Sequence, residues 1–245
     1  ENTCHRLVIA VKEVEEKEYS EFYKSAFRSA YDEPMKLTHF VLEGQVECKA
    51  LLYIPGMLPF ELSKDMFDEN ARNLRLYVKR VFINDQFEDL MPRWLKFVRG
   101  VVDSDALPLN VSREILQKSK VLSIINKRLV RKSLDMIREI AEDSPEEYGN
   151  FWNNYGKYLR VGIVEDDANR KEIAPLLRFF TGKSGDDQMS LDDYVAAMPE
   201  GQKAIYYVTG DGKNNALLSP VLEKLKGFDY DALLAAEAMD EIMVE

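Results

Sequence analysis

The sequence predicts an α/β protein made of a large three-layer αβα unit, a helical connector and a smaller αβα unit. Three observations support this class: strand-like apolar stretches alternate with amphipathic helical ones, turn residues separate them, and the chain has no internal repeat. The predicted boundaries place the large unit at residues 1–142, the connector at 143–180 and the small unit at 181–245. No apolar run approaches the roughly 18 residues typical of a membrane span.

The predicted sheet of the large unit begins with "KLTHFVLEGQVECKALLYIPG", where apolar and polar residues alternate on both sides of Gly44. This pattern is typical of two strands joined by a tight turn. The stretch "LRLYVKRVFIND" is predicted as one further strand. The stretch "LMPRWLKFVRGVVDSDALPLN" is predicted as a short helix followed by a loop, with Gly100 and Pro108 as the breaks.

A long helix is predicted from Ser112 to about Glu142, because apolar residues recur there at steps of three, four or seven; a break inside it stays open. The stretch "SPEEYGNFW" marks the next helix start, with Ser144 as the cap and Glu147 completing a capping box. A short strand "LRVGIVED" and a helix "RKEIAPLLRFF" follow in the predicted connector.

In the small unit, "TGKSGDDQ" has the composition of a linker. Ser190 and Asp193 are predicted to start a helix, and "AIYYVTG" is predicted as a buried strand. A last helix is predicted to begin after Ser219 and to end at Gly227.

The composition excludes several classes of function. With 33 basic and 43 acidic side chains, the formal charge of -10 argues against nucleic acid as a partner. The two cysteines, Cys4 and Cys48, lack metal-like spacing and are too few for a disulfide framework. The two histidines, His5 and His39, argue equally against a zinc site or a catalytic triad, so we predict no metal site.

Two glycine-containing motifs invite a nucleotide-binding interpretation. The "GKS" at 182–184 is rejected as a P-loop, because Leu177 stands where that motif needs a glycine. The "TGDGK" at 209–213 follows a predicted strand and stays a weak candidate for an anion site with Lys213. Since the sequence shows no nucleophile beside a base, motif chemistry alone does not predict an enzyme.

The stretch "LPLNVSREILQKSK" places Arg113 and Gln117 four residues apart on one face of the predicted long helix, near its N-terminus. Helix N-termini favour anions, so the pair is a candidate anion site. An ordinary surface arginine fits the same spacing, and the residues alone leave both interpretations open.

The loop "PGMLPFELSKDMF" carries many apolar side chains in a polar context. They either return to the core or form an adaptable surface for varied partners, for which methionine is well suited. These side chains are Met57, Leu58, Phe60, Leu62, Met66 and Phe67.

Long stretches of the chain resemble the middle segment of the heat-shock protein 90 chaperone family, from about Val14 to the end. The resemblance rests on "LYVKRVFIND", "LMPRWLKFVRGVVDSDALPLNVSREILQKSKVL" and "SLDDYVAAMPEGQKAIYYVTG". "KEVEEKEYSEFYKS" and "KRLVRKSLDMI" are most similar to the endoplasmic-reticulum branch, whereas "LYIPGM", "VSREILQ" and "PLLRFF" also resemble the plastid branch. We therefore expect an organellar member, with the cytoplasm as the alternative. The opening "ENTCHRLVIAV" lacks the tryptophan-containing stretch of the family.

The resemblance implies an ATP-dependent homodimeric chaperone of three parts. An N-terminal domain binds ATP with Mg²⁺, the middle segment binds clients and co-chaperones and completes the ATPase, and a C-terminal domain dimerises. Because the chain begins with Glu1 and the family's middle segment extends beyond Glu245, we expect a piece of a longer protein with an incomplete small unit. We expect neither ATPase activity from this piece alone nor membrane insertion.

The family's site residues carry over by position. The arginine that reaches the ATP γ-phosphate falls on Arg113, and the glutamine one turn later falls on Gln117. The matching loop includes Asn110 and Ser112, which we expect to fix its shape by capping. A guanidinium suits this role, because its planar fork of donors fits phosphate oxygens. The alternative is a non-catalytic scaffold in which Arg113 is structural.

Two further sets of positions match family surfaces. Arg80 and Phe82 match residues near the interface with the nucleotide domain, although the family usually has a second arginine where this chain has a lysine before Arg80. Tyr31 falls at an exposed aromatic position used for client contact, and Leu58 and Phe60 fall in the client-facing loop.

Overall fold

The computed structural model describes most of the chain: residues 14–44, 46–68, 71, 73–85, 90–107 and 120–244. Two compact units are present, Glu1–Asn154 and Tyr155–Glu245. Both combine helices with a sheet, so the predicted α/β class is confirmed. The three-part division with boundaries at 142 and 180 stays a prediction.

The described elements of the first unit surround one mixed sheet. In chain order they are α1 Glu16–Ala26, β1 Pro34–Leu42, β2 Cys48–Pro55, α2 Phe60–Lys64, β3 Leu74–Val78, β4 Val81–Asn84, a 3₁₀ turn Arg93–Leu95, β5 Arg99–Asp103, α3 Lys120–Asp143 and the first part of α4 Pro145–Glu165. The strand order is β1-β2-β5-β3-β4, and β3 and β5 run parallel whereas the other neighbours are antiparallel.

Helices cover both faces of this sheet. Helix α1 places aromatic residues three and four positions apart, and they pack on one face against Leu51, Tyr53 and Val101. On the same face, the Tyr19 hydroxyl lies 2.9 Å from Nδ1 of His39. Phe40 follows His39 and therefore faces the other way, where Lys132 of α3 lies 5.9 Å from its ring centroid. The unit thus has three layers, helix on sheet on helix.

The predicted hairpin of β1 and β2 is confirmed, whereas the prediction of a single strand over 74–85 is wrong. The structure has two strands, β3 and β4, joined by a turn at Lys79 and Arg80. Both turn residues have positive φ, 50° and 65°, as the tightest hairpin turns require. Such turns usually carry glycine or asparagine. Because Lys79 and Arg80 occupy these positions, the sequence carries no signal for a turn.

The prediction of a loop after the short helix is also wrong, since residues 99–103 form β5 between β2 and β3. Gly100 looked like a chain break, but the close approach of β2 requires it. A Cβ at Gly100 would lie 2.6 Å from the carbonyl oxygen of Leu51 and 2.8 Å from Cδ2 of Leu52. A glycine in a strand often marks such an approach.

The first turns of α4 were predicted correctly, but its end was not. The Glu147 amide lies 3.2 Å from the Ser144 hydroxyl, as the capping prediction requires. The stretch "LRVGIVED", predicted as a strand, continues the helix to Glu165. Its β-branched residues favour a strand and its glycine disfavours a helix, so packing around the buried Leu159 and Arg160 overrides propensity.

The second unit begins within α4, at Tyr155, and its other described elements follow the end of that helix. They are α5 Arg170–Ile173, a 3₁₀ turn Ala174–Leu176, β6 Phe180–Thr181, α6 Leu191–Ala196, β7 Tyr207–Thr209, α7 Lys213–Leu217, α8 Pro220–Lys226, β8 Leu233–Ala235 and α9 Ala238–Val244. Their sheet has the order β6-β8-β7.

The caps of the second unit were predicted correctly. The Asp193 amide donates to the Ser190 hydroxyl at 3.0 Å, and Ser219 caps α8, which ends at Gly227. The predicted strand "AIYYVTG" exists as β7, but it is an edge strand and only Val208 is buried. The central strand β8 was not predicted, since its three residues are too few for a periodic signal.

Gly100→Ala should destabilise the chain by about 1–3 kcal/mol, because the added methyl group meets backbone that cannot move freely. The matched control is Gly149→Ala in α4, where a Cβ meets nothing within 4 Å. That variant should gain about 0.4–1 kcal/mol, since alanine loses less entropy in a helix. Urea denaturation of the three proteins measures both values. Equal stability of Gly100→Ala and wild type would contradict the close approach of β5 and β2.

Candidate functional site

The residues predicted to act on ATP lie in a part of the chain that the structure does not describe. Arg113 and Gln117, with Asn110 and Ser112, fall within 108–119. Their roles stay predictions. The structure does describe the residues on either side, from β5 to Leu107 and from the start of α3.

The end of the sheet that leads into this segment is built from the ends of β3 and β5. Because these strands are parallel, both end at the same edge, with Tyr77 opposite Asp103. The Asp103 Oδ1 accepts a hydrogen bond from the Arg80 amide at 3.1 Å. Phe82 is 49% exposed, and its ring contacts Tyr77 edge-on at 5.6 Å. The structure therefore brings Arg80 and Phe82 together beside the strand that leads towards Arg113.

Buried polar contacts fix this end of the sheet. The Ser104 hydroxyl donates to the Glu47 carbonyl at 2.7 Å, and the Ser104 amide donates to the Tyr77 carbonyl at 3.2 Å. Arg80 and Asp103 also line a cavity of about 340 Å³ with the buried Cys48. Burial, and secondarily the nearby Asp103, raises the pKa of the Cys48 thiol to about 12, so this cysteine is not a thiolate at neutral pH.

The residues predicted to contact clients meet at the opposite end of the same sheet. Tyr31, Leu58 and Phe60 line one groove of about 600 Å³, which we call the client groove. The Tyr31 side chain is 97% exposed and Phe60 is 68% exposed, whereas Leu58 is half-buried. Met57 adds a further exposed apolar side chain. Large apolar side chains clustered in this way on a surface are typical of binding sites.

A buried carboxyl group holds the client groove in shape. The Asp32 side chain accepts hydrogen bonds from the Tyr23 hydroxyl at 2.5 Å and from the Met57 amide at 2.9 Å. Burial, followed by the hydrogen bond to Asp32, raises the pKa of Tyr23, so its hydroxyl stays protonated and donates. Gly56 allows the backbone of Glu33 to approach closely, because a Cβ at position 56 would lie 2.3 Å from the Glu33 carbonyl oxygen.

Three arginines and three carboxylates are among the residues that line the client groove, and two of the arginines lie beside Phe27. The guanidinium carbons of Arg75 and Arg99 lie 5.5 Å and 5.8 Å from the centroid of the Phe27 ring. Arg99 also donates to the Ser29 hydroxyl at 2.5 Å, and Arg75 donates to the Ala26 carbonyl. The client groove is therefore amphipathic. Exposed aromatic side chains and charged groups of both signs line the same space.

Sequence reasoning missed four residues that shape or line the client groove: Asp32, Gly56, Arg75 and Arg99. Gly56 had a signal, because a glycine directly after the strand "LLYIP" marks a sharp turn. Asp32 had no local sequence signal, since its hydrogen-bond partners lie 9 and 25 residues away in the chain. The two arginines share the α1 face with Val101 and Tyr53, but only a correct register makes this visible.

The apolar side chains of the loop "PGMLPFELSKDMF" divide between the core and the surface, and the role of the exposed ones as a partner surface stays a prediction. Leu62 is fully buried in the core, whereas Met57 and Phe60 are exposed. Phe67 is half-buried, with the Arg93 guanidinium 4.5 Å from its ring centroid.

Other candidate chemistry finds no geometric support in the described part of the chain. The Lys213 ammonium of "TGDGK" lies 2.6 Å from the Asp186 carboxyl and 4.3 Å from the Phe180 ring centroid. Within the described residues, no three His, Cys, Asp or Glu side chains form a group that could hold a metal ion. None of the described helices is long and apolar enough to cross a membrane.

Comparison with known protein families shows to which family the chain belongs. The family model described as Hsp90 protein matches residues 7–245. The chain belongs to the heat-shock protein 90 family. The resemblance predicted from the sequence is thereby confirmed, and with it membership of a chaperone family associated with stress.

Curated relatives support an organellar type of heat-shock protein 90. The chain is 52% identical to heat shock protein 90-5, chloroplastic, and 48% identical to heat shock protein 90-6, mitochondrial, both of Arabidopsis thaliana. It is 44% identical to an endoplasmin homolog of Hordeum vulgare. Each match covers 96% of this chain but only 30%, 29% and 32% of these relatives, respectively. The chain thus spans about a third of their length or less.

A solved structure matches both units of this heat-shock protein 90 chain. It is the middle domain of a heat shock protein of Plasmodium falciparum, with a TM-score of 0.86 and 46% sequence identity. The match covers 97% of this chain and 91% of that one. The fold is therefore that of a heat-shock protein 90 middle domain.

Asp32→Ala should open the client groove. The change removes the acceptor of both the Tyr23 hydroxyl and the Met57 amide, and each buried donor left unpaired costs about 1–3 kcal/mol. Hydrogen exchange should show faster exchange of the Met57 amide, and urea denaturation should show the lower stability. Glu33→Ala, which removes an exposed neighbouring carboxylate that pairs with Lys24, is the control and should leave the exchange of the Met57 amide unchanged. Unchanged exchange at Met57 in Asp32→Ala would show that Asp32 does not hold this loop.

Proposed function

We propose that this chain is the middle segment of an ATP-dependent chaperone that assists protein folding. Arg113 is supplied to the γ-phosphate of ATP, which a separate N-terminal domain holds with Mg²⁺, and Gln117 lies one turn beyond it in sequence. The observation that carries this proposal is the stretch "NVSREILQ" directly after the anchored end of β5, in a chain of the heat-shock protein 90 family. The fragment alone neither binds ATP strongly nor hydrolyses it.

An arginine in this position stabilises the charge that develops on the phosphoryl oxygens. Its fork of donors contacts two oxygens at once, which a lysine does not reproduce. Arginines that act in this way in other nucleotide hydrolases accelerate hydrolysis by roughly 10³–10⁵. The exposed Phe82 and the neighbouring Arg80 support the proposal, because they offer an apolar and a cationic contact to a nucleotide-binding domain at the same end of the sheet.

The client groove is the proposed site for unfolded polypeptide. Unfolded chains expose aromatic and aliphatic side chains, for which Tyr31 and Phe60 offer flat apolar partners. Met57 adapts its shape to different side chains. Charged groups of both signs around the groove add polar partners to its apolar ones.

Helix α3 offers a separate surface for co-chaperones. In a chain with a net charge of -10, it carries a run of exposed cations: Lys120, Lys127, Arg128 and Arg131. A partner with an acidic surface complements this run electrostatically. We propose homodimerisation through a separate C-terminal domain and a location in the endoplasmic reticulum lumen or a plastid, in keeping with the organellar relatives. The cytoplasm is the alternative location.

The alternative function is a non-catalytic scaffold in which Arg113 is structural and the apolar and basic surfaces only bind partners. A weaker alternative is a nucleotide enzyme that uses "TGDGK". The pairing of Lys213 with Asp186 counts against it, because that cation is already engaged. ATP hydrolysis by the full-length protein separates these functions.

Arg113→Ala in the full-length protein should lower the ATPase rate by about tenfold or more, with ATP affinity nearly unchanged. The reason is that Arg113 contacts developing charge, whereas the N-terminal domain provides most of the binding. Steady-state hydrolysis and equilibrium ATP binding measure the two quantities.

The matched control for this experiment is Lys171→Ala, which removes an exposed cation from α5 and should leave the rate unchanged. An unchanged rate in a folded Arg113→Ala protein would favour the scaffold. Loss of activity in Lys213→Ala with a normal Arg113→Ala rate would favour the nucleotide enzyme.

The double variant Tyr31→Ser, Phe60→Ser should weaken client binding by about tenfold, since exposed aromatic anchors carry much of the energy of such interfaces. Suppression of aggregation of thermally unfolding citrate synthase by the full-length protein measures this effect. Stability should change by no more than about 0.5 kcal/mol for each surface substitution.

The matched control for the client groove is Phe228→Ser, because Phe228 is an equally exposed phenylalanine, 70% accessible, in the second unit. It should retain full suppression of aggregation. Equal losses in Phe228→Ser and in the double variant would mean that the groove has no special role.

A further inference from the structure

We propose that the client groove selects polypeptide segments in which an acidic side chain lies beside aromatic or aliphatic ones. The carboxylate binds to the guanidinium groups of Arg75 and Arg99, and its apolar neighbours bind to the exposed Tyr31 and Phe60. The inference rests on the proposed function, because it names the class of segment that the same groove takes.

The sheet places both arginines on the face that α1 covers. Arg75 of β3 is paired with Val101 of β5, and Arg99 lies two residues before Val101, so the two side chains point to the same side. Their guanidinium carbons lie 5.5 Å and 5.8 Å from the centroid of one ring, that of Phe27. Two cations therefore flank a single aromatic ring in the groove.

These cations are held by neutral acceptors. Arg99 donates to the Ser29 hydroxyl at 2.5 Å, and Arg75 donates to the Ala26 carbonyl. The Arg99 side chain is only 11% exposed, and its buried Nε has no hydrogen-bond partner among the described residues. A guanidinium removed from water in this way is normally hydrogen-bonded to a carboxylate, because burying an unpaired charge is costly.

The three carboxylates that line the groove do not take that place. Both oxygens of Asp32 already accept hydrogen bonds, one from the Tyr23 hydroxyl and one from the Met57 amide. The nearest oxygen of the exposed Glu61 is 4.0 Å from Arg99, which is beyond hydrogen-bonding distance. The third carboxylate is Asp85. Within the described residues, neither arginine donates a hydrogen bond to any of the three, so both keep donor capacity for a carboxylate that a client brings.

The chemistry of the groove favours a carboxylate with apolar neighbours. A guanidinium fork matches the two oxygens of a carboxylate, and partial burial strengthens the bond because water competes less. Three exposed apolar side chains, Tyr31, Met57 and Phe60, line the same groove. The carboxylate comes from an internal Asp or Glu rather than from a chain end, because an internal residue has apolar neighbours on both sides.

Isothermal titration calorimetry of the full-length protein tests this preference. The probes are two acetylated and amidated decapeptides that differ at one position, a glutamate or a glutamine between phenylalanine and leucine. The glutamate peptide should bind about tenfold more tightly, the size expected for a charge-assisted hydrogen bond. This chain has a net charge of -10 and repels an acidic peptide at long range, so such a preference reports a local contact.

A third peptide identifies the source of the carboxylate. It carries the glutamine and a free C-terminal carboxylate, and it should bind no more tightly than the amidated glutamine peptide. If it binds as tightly as the glutamate peptide, the groove takes chain ends and the inference is overturned.

Substitution of the two arginines locates the contact. Arg75→Gln and Arg99→Gln should each lower the preference for glutamate to about threefold or less. A merely distorted groove would weaken both peptides equally and leave the ratio unchanged, and that result overturns the inference. Should Arg99→Gln not fold, Arg75→Gln decides alone, since Arg75 lies on another strand and is half-buried.

The matched control is Arg131→Gln, which removes an exposed arginine from the basic run of α3. It should keep the full preference for glutamate. If Arg131→Gln loses the preference while Arg75→Gln and Arg99→Gln keep it, the acidic group binds to α3 and the inference is overturned.

The double variant Tyr31→Ser, Phe60→Ser separates the inference from the proposed function. Both peptides should bind about tenfold more weakly to it, because both use the aromatic side chains. If both affinities fall but the wild type does not distinguish glutamate from glutamine, only the inference fails. If neither affinity changes, the groove is not the client site, and the proposed role of the groove fails together with the inference.

Discussion

The close approach of β5 to β2 at Gly100 is the constraint on which the first unit depends. Only a residue without a side chain lets the Leu51 carbonyl come as near as it does. Through this approach β5 becomes the central strand, paired with β2 on one side and with β3 on the other. Both candidate surfaces begin at its two ends. Arg99, at the start of β5, forms part of the client groove, and Asp103, at its end, holds the hairpin turn.

At both ends of the sheet a buried carboxyl group accepts a hydrogen bond from a backbone amide outside the strand ladder. At each end the chain leaves the regular hydrogen-bonding ladder, and a backbone amide must find an acceptor elsewhere. A buried carboxyl group provides it: Asp32 accepts from Met57, and Asp103 accepts from Arg80. Each bond also supports exposed functional candidates, Phe60 at one end and Phe82 at the other. Carboxylates suit this task because their bonds to amide donors are stronger than those of neutral acceptors.

Sequence reasoning succeeded where a signal is local and repeated, and it failed where a structure depends on distant contacts. The caps at Ser144, Ser190 and Ser219 follow from neighbouring residues, and the long amphipathic α3 follows from its period. The strand β5 was not predicted, because the fit of Gly100 against Leu51 joins positions 49 residues apart in sequence. The turn at 79–80 was not predicted for the same reason, since the partner of the Arg80 amide is Asp103, 23 residues away in sequence. Of the candidate site, the resemblance supplied Arg113 and the surface positions, but the carboxyl groups that support these surfaces only become visible once the strands are in register.

The distance between the two ends of β5 limits how the client groove and the hairpin turn can influence each other. Five residues of extended strand place the ends of β5 about 13 Å apart, at roughly 3.3 Å for each step. No side chain at the client groove reaches the hairpin turn over that distance, and salt screens exposed charges beyond about 8 Å at physiological ionic strength. Within the first unit, an effect of client binding on the hairpin must therefore pass through β5 and its neighbours as a small displacement of packed backbone. A strand held by a glycine contact near its start and by buried hydrogen bonds at its end transmits such a displacement as a nearly rigid element, because close-packed interiors have little room to absorb it.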